Sequence, residues 1–368
     1  MNRLLAFLTL ILILLSGCRK STNNSLWESS YGSGTAMFLK AAADSGLLSC
    51  GELGRKPYII KLDKNKKKTS DYKYNANGLY SSAWSDGDLT IAAGNTNGRM
   101  LITCLNNKDS LLWDTTFIST YHIDYSSVCY LGSGEMLVVG SEKPDSILPG
   151  PSSLLYVWIS TSGSIIKKQE VKDGAFISAN RVITDNSGNI YLALTRQYTG
   201  SKSKATVAKY DNQLHQIFET ELYNNPIYGA TTTGILLDNT GNIYVCGKTE
   251  LPVSTGTANN SFAASLTSVG TIIWKTYLEN SNTGASLIID KNGQVLMLNH
   301  NCFIINTLNM VDGSETGTIR TFGVCDSNKT DVFGQYLDFN YDGNIIVAGS
   351  NGGGFYLGLK SPVPEQVQ

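Results

Sequence analysis

Residues 238–247 (Asp-Asn-Thr-Gly-Asn-Ile-Tyr-Val-Cys-Gly) constrain the fold more than any other stretch, because recognisable copies return along the whole chain. Aligned on the turn glycine, the copies centre on Gly46, Gly87, Gly134, Gly188, Gly241, Gly293 and Gly343, spaced 41 to 54 residues apart. Periods of this size mark blades or other repeat arrays. Each copy reads as an apolar strand, a tight Asp/Asn-Gly turn and a second strand rich in Ile, Val, Leu and Tyr. The glycine supplies positive φ and the Asp or Asn side chain bonds its own backbone, which together signal a hairpin.

A weaker second hairpin follows in most copies, for example 261–266 turning at Val269 and Gly270 into 271–277, and 205–210 turning into 216–221. Two hairpins per period give a four-stranded antiparallel sheet, strands A to D from the inside outward. Radial packing of such sheets leaves short, protected edges. Seven copies predict an all-β, seven-bladed β-propeller. After the last copy only one further strand, 355–359, precedes the tail, whereas residues 26–31 match the D strands at 112–117 and 273–277. The N-terminal strand is therefore expected to pair into the C-terminal blade and close the ring.

The first residues read as an address. Arg3 precedes an apolar run over 4–15, too short to span a bilayer and suited to a signal peptide. It ends in Leu15-Ser16-Gly17-Cys18, which resembles the bacterial lipobox and implies cleavage before Cys18, lipidation of that cysteine and tethering outside the cytoplasm, with the outer membrane the expected site. The expected division is a signal peptide over 1–17, a lipidated Cys18 and polar tether over 18–25, a propeller over 26–360 and a tail over 361–368.

Charge is nearly balanced, 29 basic against 30 acidic residues, so no field for nucleic acid is indicated. The lysine-rich run 61–68 falls in a predicted C–D turn and reads as a solvated turn. Of the remaining cysteines, Cys50 and Cys246 occupy slots filled by Ala93, Val139, Ala193 and Ala348 in other copies, so they read as small buried hydrophobes. Pairings of Cys302 with Cys325 and of Cys104 with Cys129 stay open. No metal or cofactor is expected. The Asp-Asn-Thr-Gly-Asn turns lack the ligand spacing and distal Glu of calcium loops.

Four-stranded blades put the D–A and B–C connections on one rim, where variable loops held by a rigid scaffold carry binding. The long B–C loops are expected at 141–153, 196–204 and 248–260. The D–A loops lead to the innermost strands, so Tyr80, Trp84, Tyr121, His122, Asp124, Tyr125, Phe176, Asn180, Arg181, Tyr228, Asp331, Phe333 and Gln335 are the ligand-binding candidates at the channel mouth. Aromatic faces beside amides and charges suit a protein partner or a sugar, and packing between blades is the competing use. His122 beside Asp124 has the composition of an acid-base pair, though His215 falls on the opposite rim and His300 ends a B strand. No Gly-x-Ser-x-Gly or Gly-x-Gly-x-x-Gly motif occurs.

Residues 237–249, with 262–266 and 270–277, resemble the bacterial seven-bladed propeller repeat called SBBP and the repeats of pyrroloquinoline-quinone (PQQ)-like propellers, whose outer strands carry a similar Gly-x-x-x-Trp. The resemblance spans nearly all of the mature chain and is best in the fourth, fifth and seventh copies. It implies structural motifs, and fold does not fix function. Quinoprotein dehydrogenases of that type hold their cofactor with a vicinal disulfide and calcium, and no Cys-Cys pair occurs here. Envelope-assembly lipoproteins with such propellers are non-catalytic and bind proteins through loops. The expectation is a non-enzymatic, monomeric envelope lipoprotein presenting one rim to a protein or glycan. The alternative is a glycan-directed hydrolase or lyase at the channel mouth, and a ligand-free spacer is the third possibility.

Overall fold

The computed structural model describes residues 25–42, 45–118, 122–143, 152–172, 176–198, 200–223, 227–253, 256–278, 283–300, 303–320 and 332–360. The expected signal peptide, Cys18, most of the tether, the tail, Tyr121, Asp331, Cys302 and Cys325 lie outside the described residues. Everything regular within them is β-strand.

Five sheets have four antiparallel strands. They are β5 (Gly78–Ser85) to β8 (Leu111–Phe117), with β6 (Leu89–Thr96) and β7 (Arg99–Asn106) between; and β9 (His122–Gly132), β10 (Glu135–Lys143), β11 (Ser153–Ser160) and β12 (Ile165–Lys172). Next come β13 (Phe176–Thr184), β14 (Ile190–Gln197), β15 (Lys204–Tyr210) and β16 (Gln216–Tyr223), then β17 (Ala230–Leu237), β18 (Ile243–Val253), β19 (Gly256–Leu266) and β20 (Ile272–Leu278). The fifth is β21 (Gly284–Ile289), β22 (Gln294–Asn299), β23 (Ile304–Asn309) and β24 (Glu315–Arg320).

The sixth sheet has seven strands in the order β25 (Val332–Phe339), β26 (Ile345–Asn351), β27 (Gly354–Lys360), β1 (Ser25–Ala41), β2 (Leu47–Leu53), β3 (Lys56–Leu62) and β4 (Lys68–Lys73). Its centre is β1, which serves two partners. Ser25 pairs with Lys360 and Ser33 with Gly354 on β27, and from Gly34 onward the same strand pairs with β2, ending at Ala41 with Leu47. The change of partner falls at Gly32 and Gly34, whose φ of 107° and 154° an L side chain rarely adopts.

Apolar clusters lie between successive sheets, joining for example β6 and β7 to β10 and β11, and β14 and β15 to β18 and β19. Alternation along each strand supplies one apolar row to each neighbour. Cys50 and Cys246 are fully buried within these clusters. Cys104 and Cys129 are free and buried, so the pairing left open between them is not made. Burial pushes their thiols up, to about 11 and about 12, and they remain protonated hydrophobes.

The turns after the inner strands behave as the repeat requires. Asp238 Oδ1 accepts from the N–H of Thr240 and of Asn242, both at 2.8 Å, and Gly241 takes φ 85°. Asp185 does the same with Ser187 and Asn189, and Asn340 receives Asn344 N. Burial pushes the Asp185 and Asp238 carboxyls up, but the hydrogen bonds outweigh it and leave both below the ordinary range. A carboxylate depressed in the folded state stabilises above its unfolded value, and that stabilisation is lost as pH falls through the folded value. The Asp185→Asn/Asp238→Asn double variant is therefore expected to show a flatter loss of melting temperature below about pH 4 than the parent; equal slopes would refute this role.

On three outer strands an aromatic links neighbouring sheets. Trp113 on β8, Phe218 on β16 and Trp274 on β20 lie against Gly163, Gly270 and Gly313, the turn glycines of the next sheet in sequence. The Trp113 and Trp274 Nε1 groups donate to Thr161 O (3.0 Å) and Met310 O (2.9 Å). In Gly270-x-x-x-Trp274 the glycine therefore receives one neighbour while the tryptophan grips the other. Lys61, at the start of the lysine run, pairs with Asp109 at 2.6 Å, while Lys64, Lys67 and Lys68 are exposed in the turn region as expected.

Candidate functional site

The seven strands β1, β5, β9, β13, β17, β21 and β25 all line one central cavity of about 490 Å³. Six of them carry a register shift, in β1 just after its change of partner and in the others near the start of the strand, leaving Met37, Ser81, Asn180, Thr233, Ala285 and Gln335 as the extra residues. A bulge re-aims the side chain it inserts. All six line a second cavity of about 290 Å³ at the rim where those strands begin.

Several extra side chains tie one inner strand to the next. Ser81 Oγ donates to Ser126 O at 2.6 Å, Asn180 Nδ2 to Thr232 O and Thr233 Oγ1 to Gly284 O. The residue opposite the bulge is glycine in four cases: Gly51, Gly94, Gly247 and Gly349. A Cβ at any of them would fall well inside van der Waals contact with a backbone carbonyl of the inner strand. On β9 the shift lies elsewhere, between Tyr125 and Ile123, and a Cβ on the facing Gly140 would meet only side chains.

Arg181 stands at the waist, lining both cavities. Its Nη1 and Nη2 reach Ser81 O (3.3 Å) and Met37 O (3.5 Å) on other strands. Its guanidinium lies 4.7 Å from the centre of the Tyr336 ring, and that ring packs on Phe38 at 4.8 Å. Below the waist, Asp338 accepts Phe339 N at 2.8 Å, and burial raises its carboxyl despite that bond and the nearby Lys40.

At the rim, His300 Nδ1 lies 3.0 Å from Gly334 O, and its ring stacks on Phe333 at 4.9 Å. A carbonyl partner makes Nδ1 the protonated nitrogen and leaves Nε2 an acceptor. Burial holds the imidazole below its usual value, so it is neutral at pH 7. An adjoining cavity of about 300 Å³ is lined by Asp124, Tyr125, Glu142, Phe176, Asn180 and Thr233 among others.

Buried Glu142 touches Ser153 Oγ, which is also 2.9 Å from Glu170 Oε1. Burial pushes Glu142 up, whereas the Lys172 ammonium bonded to Glu170 holds that carboxyl down. Glu142 is thus tied into its sheet through Ser153.

Of the predicted binding residues, the structure gathers Asp124, Tyr125, Phe176, Asn180, Arg181 and Gln335 in the two adjoining rim cavities, with Phe333 behind His300. Two placements are corrected. Tyr80 has no exposed surface and bonds Thr103 Oγ1 at 2.6 Å, because β5 already begins at Gly78 and its alternation turns this residue between sheets. Trp84, near the far end of that strand, stacks on Tyr130 and lines the central cavity toward the opposite rim. Tyr228 is half-buried and lines neither rim cavity. His122 Nε2 lies 3.7 Å from Asp124 Oδ1, both partly open to solvent, and His122 lines no cavity described above.

The predicted loop at 248–260 is mostly paired strand, Thr249 opposite Asn260 and Val253 opposite Gly256. Other B–C connections are short, since β2–β3, β6–β7 and β26–β27 are joined by two-residue turns. The sequence reading missed His300, Met37, Ser81 and Thr233. The last had a signal, because residues 180, 233, 285 and 335 each stand eight positions before a turn glycine.

Sheets arranged around a common cavity lined by their inner strands define a β-propeller, and the chain is one. Among solved structures, the Pan2 WD40 domain of Neurospora crassa superposes with a TM-score of 0.63 at 12% identity, covering 94% of this chain and 98% of that one. The Dos1 propeller superposes at 0.56 and 13% identity, covering 89% and 78%. BamB from Moraxella catarrhalis reaches 0.49 at 12% identity, covering 88% and 85%. No protein-family model matches the sequence, and no curated protein matches it significantly.

Proposed function

We propose that this propeller is a lipid-anchored scaffold of the bacterial cell envelope that offers its loop-bearing rim to a partner protein. In this reading the seven-stranded sheet is two blades sharing β1, which makes seven blades and closes the ring with the N-terminal strand. The SBBP or PQQ-like type and the anchor at Cys18 belong to the same proposal.

The observation that carries it is where the chain enters. Ser25 pairs with Lys360, the last residue of β27, at the rim of the short inner-strand turns. The two rim cavities open at the other end of the inner strands. Cys18 stands seven positions before Ser25, a reach of at most about 25 Å. The short tether therefore holds the turn rim toward the membrane and leaves the loop rim facing away. That rim exposes Tyr125 (42%), which lines the cavity of Phe176 and Asn180, and Tyr198 (43%) and Ile227 (64%) in its loops. Exposed aromatics beside a desolvated hollow suit a protein interface.

A photo-crosslinking residue at Tyr125 or Tyr198, in cells, is expected to yield a discrete protein adduct. The same residue at Val269 or Val311, in the turns of the opposite rim, is expected to yield none. Adducts only from the turn rim would overturn the choice of face, and a Cys18→Ala chain that still fractionates with membranes would overturn the anchor.

A further inference from the structure

We propose that the rim cavity at the head of the channel binds a small organic carboxylate, with Arg181 as its anchor. This site is independent of the membrane anchor and of any protein partner.

Arg181 carries a charge that no carboxylate among the described residues matches. Arg181 is half-buried at the waist, and its contacts are two backbone carbonyls at 3.3 and 3.5 Å and the face of Tyr336. None of these is an anion. Among the described residues no carboxylate comes within ion-pair distance of it. The chain treats its other inward arginine differently, for Arg196 Nη2 meets Glu219 Oε2 at 2.9 Å. A guanidinium drawn into a protein without a counter-charge is costly, and long bonds to carbonyls offset little of it. An anion in the adjoining space would complete it, and the planar fork of an arginine matches a carboxylate at two points.

The surroundings narrow the class. On the rim side, Arg181 shares a cavity of about 290 Å³ with Asn180, Gln335, Thr233 and His300. These are neutral groups; Asn180 and Thr233 already bond within the ring, and His300 keeps Nε2 as an acceptor because its other nitrogen serves Gly334 O. A single cation among neutral groups suits a monoanion better than a phosphate dianion. An acceptor and amides beside it favour a ligand carrying a hydroxyl next to its acid. The volume is ample for a small hydroxy acid. The bulges shape the cavity, since the re-aimed Ser81, Asn180 and Thr233 each bond the next inner strand beside the arginine.

The test uses the full chain in detergent, with formate, acetate, glycolate and lactate as probes. The Arg181 Nε–H resonance, assigned by its loss in Arg181→Lys, is followed through titration, with thermal melting alongside. At least one acid is expected to shift it saturably, glycolate or lactate at lower concentration than acetate. By the melting shift, Arg181→Met should bind about ten-fold more weakly or worse. Arg181→Lys keeps the charge and guards against a variant that fails to fold; it should weaken binding by losing the two-point contact. The proposal is overturned if no probe saturates the wild-type signal, or if both variants respond to the acids as the parent does.

Discussion

Gly247→Ala and Gly349→Ala are each expected to destabilise the propeller by about 3 kcal/mol or more, at the upper end of what overpacking does. Neither glycine has an unusual φ, so the cause is contact and not dihedral strain. A methyl on Gly247 would collide with Thr231 O and the Phe262 ring, and one on Gly349 with Phe333 O and the Phe303 ring. The carbonyls belong to the inner strand just before its bulge and cannot move without changing the register. Gly140→Ala is the control. Its methyl would meet the far end of the flexible Met100 side chain and no backbone atom, so the cost should be clearly smaller, about 1 kcal/mol. Denaturant unfolding of the three variants decides the matter, and equal losses at all three would show that the bulge is not what the glycines serve.

Trp274→Ala should cost about 3 to 5 kcal/mol, the usual range for deleting a buried indole. Only 7% of this residue is exposed, and its ring covers Gly313 while its nitrogen serves Met310 O. The loss therefore falls between two blades. Trp274→Phe keeps most of the contact and gives up the hydrogen bond, so about 1 to 2 kcal/mol is expected. A Trp274→Ala protein melting within a degree or two of the parent would mean that blades cohere through their apolar clusters alone.

The repeat was legible because its determinants are local. A turn glycine at positive φ and an Asp bonding its own backbone are written within five residues, as at 238–242. The inner strands were harder to read. One inserted residue exchanges the faces of everything beyond it, so Tyr80, placed at the mouth from the sequence, lies between sheets while Ser81 lines the cavity. Non-local pairing hid His300, which reaches the site only because Gly334 on a later strand lies against it. Pro252 and its polar neighbours read as loop between 248 and 260. The structure allows a strand there because β17 has already ended its ladder at Ala230 opposite Thr249, so the proline withholds no bond from it.

The sharing of β1 bears on how the molecule responds to force. On the proposed anchoring, a tug between membrane and loop-rim partner enters at Ser25 and runs along the strand toward Ser33. The bonds between β1 and β27 are then loaded together in shear, each taking a fraction of the tension, instead of being peeled apart one at a time. A tether joined to any strand at the loop rim would have pulled the same ladder open like a zip.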